Sequence, residues 1–153
     1  MNPVSIIAQT PEPIFAEMIS GSSRKVRETL FSKMGIKSKA KSVGIKLHEK
    51  RDERTKKLHE KLSSATSKGE SEICSELIRT WLYGKRAMLK SALDFLGVAN
   101  DDGLVESDLD FFKEMSEERS RELVNHLSKS FEREEIKIYL SFVEVPFVDK
   151  IVN

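Results

Sequence analysis

Three histidines, one cysteine and a cluster of aspartates are the residues whose types could do chemistry in this chain. His48 and His59 hold the same place in a repeated pentapeptide, KLHEK, at 46–50 and 57–61. The eleven-residue offset is close to three helical turns, which puts both imidazoles on one face about 16 Å apart along the axis. Ligands of one metal lie a few ångströms apart, so this pair cannot share an ion. Both are expected to face solvent. His126, between Asn125 and Leu127, would need a nucleophile and an orienting carboxylate to act as a general base, and the sequence supplies neither recognisably. Cys74 has no partner for an internal disulfide and reads as a small apolar helix residue in a reducing compartment.

The acidic group needs a closer test. Asp101, Asp102, Glu106, Asp108 and Asp110 crowd around Gly103, as ligands do in calcium loops. With Gly103 at the sixth loop position, Val98 falls at the first and Leu109 at the twelfth, where oxygen ligands are required. A polar turn leading into an acidic helix start explains these residues instead. The chain also lacks a phosphate-cradling glycine loop, a G-x-S-x-G elbow and an H-E-x-x-H pair. No catalytic residue, cofactor site or metal site is expected, and the protein reads as a non-enzyme.

Charge is the stronger signal. Residues 21–68 carry fifteen Lys or Arg against five Asp or Glu, while residues 69–153 carry eleven against eighteen. The net charge of +1 therefore conceals a segment near +10 and another near −7. Such segregation speaks of partners: nucleic acid, an acidic protein surface, or the chain's own other half. Lys46, Lys50, Arg51, Arg54, Lys57 and Lys61 form the candidate polyanion-binding ridge. Glu49, Asp52, Glu53 and Glu60 interrupt it, and the stretch lacks aromatic residues to stack on bases. Any nucleic-acid contact would be directed at the backbone and carry little sequence information.

The elements that must position these groups are helical. Pro11 and Pro13 introduce a short helix over 14–19 that stops near Gly21. Val26, Leu30, Phe31 and Met34 space a second, stopped by Gly35. Residues 35–44 are poor in apolar side chains and read as a linker or mobile arm. Leu47, Leu58 and Leu62 give a narrow stripe on a basic helix. Over 73–96 two apolar stripes, Ile73, Leu77, Trp81, Met88, Ala92, Phe95 and Ile78, Leu82, Leu89, Leu93, Leu96, predict one long central helix. It contains Gly84, read as a point of close backbone approach, and is closed by Gly97 with Val98 folding back. Ser107 with Asp110 starts a helix carrying Leu109, Phe112 and Met115. Another follows Ser116 with Leu123, Val124, Leu127 and Phe131 on one side. Residues 134–145 fit either a strand or a helix. Helix is favoured, because no second strand exists to pair with. An ungapped echo between residues 89–102 and 136–149 suggests two helical units ending in similar turns.

The fold expectation is all-α. A basic, partly extended helical N-terminal region (1–66) leads into a compact helical bundle of about 70–150 within residues 70–153. No run is long enough to span a membrane, and the apolar run 4–8 is too short for a secretion signal, so a cytoplasmic protein is expected. The expected function is a non-catalytic protein-interaction module: an adaptor, regulator or assembly subunit. Its partner is another protein or a second copy of itself, and Phe111, Phe147 and Val148 are the candidate docking residues. The alternative is sequence-nonspecific nucleic-acid binding by the basic segment 24–61.

Overall fold

Asn2 and Pro3 begin the first helix, and they do so by chemistry that the run of apolar residues behind them obscures. The Asn2 side-chain oxygen accepts from the Val4 amide at 3.0 Å, and Pro3 occupies the first turn, where its missing N–H costs nothing. The computed structural model describes residues 2–33, 47–64 and 68–153, the side chains of 47–52 and 68 excepted. Among the described residues the fold is all-α, with no strand; Asp101 and Leu104 form an isolated bridge. They fall into two compact units, residues 2–81 and 82–153. The boundary expected from the sequence lies between 66 and 70; the chain passes from the first unit to the second between Trp81 and Leu82.

The first unit holds α1 (Pro3–Gln9), α2 (Glu12–Gly21), α3 (Arg24–Lys33), α4 (Leu47–Leu62) and most of α5 (Lys68–Tyr83). Helix α1 was not expected from the sequence. It buries Val4, Ile6 and Ile7, and the Thr10 hydroxyl donates to the Ile6 carbonyl at 2.8 Å where the helix ends. Helix α2 buries Phe15, Met18 and Ile19, and Ser22 closes it by donating to the Ile19 carbonyl at 2.7 Å. Helix α4 packs against α1 and α2 through Thr55, Leu58 and Leu62, one stripe at helical spacing. Its described part is therefore a docked helix and not a free arm. The expected linker 35–44 lies outside the described residues. Helix α5 turns Cys74, Leu77, Ile78 and Trp81 inward, with Trp81 only 7% exposed.

The long central helix expected over 73–96 is two helices. Helix α5 ends at Tyr83, the Lys85 amide donates to the Leu82 carbonyl at 2.8 Å, and α6 (Arg86–Leu96) starts afresh. The break falls at Gly84, a residue of low helix propensity. The glycine that needs close approach is Gly103. A Cβ there would sit 2.9 Å from the Arg86 carbonyl oxygen, the Leu89 Cβ and the Lys90 nitrogen.

The second unit adds α7 (Glu117–Leu127), α8 (Arg133–Phe142) and α9 (Val148–Ile151). Residues 107–115 form no full helix; only a 3₁₀ turn, Asp110–Phe112, is present, and it buries Phe112. Ser116 caps α7 by accepting from the Arg119 amide at 3.2 Å, with Glu117 and Glu118 in the first turn as the macrodipole favours. Residues 133–142 are helical, which settles the strand alternative. The internal echo is visible in three dimensions. Helix α6 ends with Gly97 at φ 72° and the Val98 amide donating to the Leu93 carbonyl at 2.9 Å. Forty-seven residues on, α8 ends with Glu144 at φ 62° and the Val145 amide donating to the Leu140 carbonyl at 2.9 Å. Both are the same αL helix stop at matching positions.

Candidate binding surfaces

Two large aromatic side chains of the second unit are exposed, Tyr83 at the end of α5 (50%) and Phe147 on a turn built from two left-handed residues. Glu144 (φ 62°) and Phe147 (φ 67°) bracket Val145 and Pro146, and side chains with a Cβ resist that conformation. Phe147 precedes α9 and is 48% exposed. Lys113 ties this turn to the segment bearing Phe111: its ammonium lies 2.9 Å from Asp110 and 3.0 Å from Glu144. Hydrogen bonding to Asp110 and then to Glu144 pushes the Lys113 pKa up. The same bond to Lys113 holds Asp110 below the usual carboxylate range.

The three docking candidates fare differently. Phe147 is exposed. Phe111 is half-buried with its ring 4.4 Å from that of Phe112, which in turn meets Tyr139 edge-on at 6.1 Å. Val148 is buried and serves the core, so it offers nothing to a partner. The reason is rotation: Val148 lies one residue into α9, on the side that faces inward with Val152.

The basic ridge is likewise divided. Lys46 lies outside the described residues, and Lys50 and Arg51 are placed on α4 by backbone alone. Lys57 and Lys61 are exposed. Arg54 turns towards the fold, its guanidinium 4.4 Å from the centre of the Phe31 ring and its Nε buried without a hydrogen-bond partner among the described residues. His59 also departs from expectation. It stacks on Phe15 with ring centroids 4.6 Å apart, and its Nε2 meets the Ile7 carbonyl at 2.9 Å. A carbonyl only accepts, so Nε2 carries the proton. No periodicity argument finds this bond, because α1 was itself hidden.

Catalytic chemistry finds little here. The Ser91 hydroxyl lies 3.0 Å from His126 Nε2, and the imidazole stacks on Phe95 at 4.5 Å. Among the described residues no carboxylate pairs with His126, so nothing orients it as a base towards Ser91. Burial, with Glu70 adding to it, pushes the Cys74 thiol up to about 12, which leaves it inert at neutral pH. Among the described residues no group of His, Cys, Asp or Glu could hold a metal ion, and no helix is long and apolar enough to cross a membrane. The acidic residues of the second unit are laced to nearby cations: Lys90 to Asp94, Arg119 to Glu122, and Glu117 to both Arg121 and Lys150. The chain matches no protein-family model, no curated protein and no solved structure.

Proposed function

We propose that the protein is a non-catalytic interaction module, an adaptor or assembly subunit that engages another protein or a second copy of itself. The observation that carries this reading is Phe147, held outward on a left-handed backbone. Strain of this kind persists where the surroundings over-determine it, and an exposed aromatic ring of this size serves contact better than folding. Phe111, half-buried on the neighbouring segment tied in by Lys113, extends the same surface. The single, buried cysteine suits a reducing, cytoplasmic setting.

The test is light scattering across a concentration series, with pull-down from lysate, on the intact protein and on Phe147→Asn. Asparagine tolerates the left-handed backbone, so the variant keeps the fold and loses only the ring. Association by the intact protein that the variant lacks is the expected result. A monomer at every concentration with no co-purifying protein overturns the reading.

A second reading, backbone-directed nucleic-acid binding, is favoured by the exposed Lys56, Lys57 and Lys61 on the outer face of α4. Its signature is an affinity that falls steeply with salt, with a slope that Lys57→Glu flattens by about one phosphate contact. Failure to retain any polyanion at low salt removes it.

A further inference from the structure

We propose that a cleft within the first unit, bounded by α2, α3 and α4, binds a phosphate monoester. This site depends on neither reading above. The cleft has a volume of about 250 Å³, and Arg24, Arg27, Arg54, Glu28, Phe31 and Thr55 line it. Among the described lining residues there are three guanidinium groups and one carboxylate, a surplus of two positive charges. That balance matches the near-dianion of a monoester and exceeds what a singly charged diester requires. The volume falls short of the 300–1,000 Å³ typical of whole-ligand pockets, as suits a phosphate group with the rest of its carrier outside.

Each arginine is placed for this role by a different contact. Arg27 spends one nitrogen, Nη1, on the carbonyls that end α2: Ser22 at 3.0 Å, and Ile19 and Ser20 at 3.4 Å. Its opposite edge, Nε with Nη2, keeps the fork geometry that grips two oxygens of one phosphate. The Arg54 guanidinium carbon lies 4.4 Å from the centre of the Phe31 ring, and its buried Nε has no acceptor among the described residues. A buried donor on a cation left without an acceptor is costly, and a phosphate oxygen supplies one. Arg24 pairs with Glu28 at 2.7 Å, but both side chains are largely exposed. Such a pair is weak enough to be exchanged for a doubly charged ligand.

The experiment titrates inorganic phosphate into the intact protein and follows the Arg54 Nε–H resonance by two-dimensional NMR, with chloride at equal ionic strength as control. The expected result is a saturable shift at millimolar phosphate that chloride does not produce. Arg24→Gln weakens phosphate by about tenfold, and Glu28→Gln tightens it by a similar factor, since the first removes an attracting charge and the second a repelling one. A misfolded variant cannot mimic the gain from Glu28→Gln. Oligonucleotides separate the sources of phosphate: one bearing a 5′-phosphate competes, and its 5′-hydroxyl counterpart does not. The proposal is overturned by a non-saturable response, by indifference to both substitutions, or by equal competition from the 5′-hydroxyl strand, which would assign the cleft to the backbone instead.

Discussion

Gly97 and Glu144 do the same work with different side chains, and the comparison makes a stability prediction. Both end a helix in the left-handed region, at φ 72° and φ 62°. Only glycine does so without steric cost. Gly97→Ala should destabilise the protein by about 1 kcal/mol in urea denaturation. Glu144→Gly should leave stability unchanged or raise it by up to about 1 kcal/mol, because relieved strain offsets both the lost exposed bridge to Lys113 and the added chain entropy. A loss above that size at Glu144 would mean the turn is held by its side chain. Cys74 and Tyr139 make a pH prediction. Burial raises both pKa values, Cys74 to about 12 from 9.0. Below pH 9 the thiol is protonated folded and unfolded alike, so it adds no pH dependence. Between 9 and about 12 the unfolded chain releases the proton first, so stability falls as pH rises. Cys74→Ala should show a shallower alkaline decline in thermal melts, and an unchanged slope would put the thiol in contact with water.

At the scale of elements, α4 and α5 decide whether the basic half is a structural part of the molecule. Leu58 is fully buried, and Leu58→Ala should cost about 2–5 kcal/mol. Trp81→Ala should cost roughly 3–5 kcal/mol on the same grounds. Chemical denaturation checks both, and a change within about 0.5 kcal/mol at Leu58 would return α4 to the status of a free arm. Leu58 and Leu62 were legible in the sequence as a narrow stripe. Of their two partners α2 was legible and α1 was not, because α1 is a single short helix whose apolar run is indistinguishable from a strand or a loop by periodicity. Gly97, Ser116 and the helicity of 133–142 were legible for local reasons: an αL stop, a cap and an acidic first turn. Gly84 was misread, since apolar stripes on α5 and α6 remain in phase across the break and hide it. Of the candidate surface, Phe147 could be named from its type alone. Its exposure, the burial of Val148 and the inward turn of Arg54 depend on rotations of single residues that spacing does not determine.

For the whole molecule, charge segregation is real along the chain but is partly spent within each unit. The acidic second unit meets many of its carboxylates with its own Lys and Arg, and the first unit turns Arg54 inward onto Phe31. What divides the molecule is packing. Residues 82–153 have their own interior in Met88, Leu93, Phe112, Leu123, Leu127, Ile136 and Leu140, closed at its end by Val148 and Val152. They are also pinned by Lys85 to Glu135 at 2.6 Å, a half-buried pair, and by Arg133 to the Val152 carbonyl at 2.9 Å. A domain of this length sits near the lower limit for folding on one hydrophobic core, so its autonomy is a sharp test. Expressed alone, residues 82–153 should be helical by circular dichroism and melt in one cooperative transition. Leu127→Ala, which empties part of that interior, should lower the midpoint by several degrees. A fragment that is helical but melts without a transition would show that its side chains need the rest of the chain to pack, and the second unit would then be a division of contacts and not of stability.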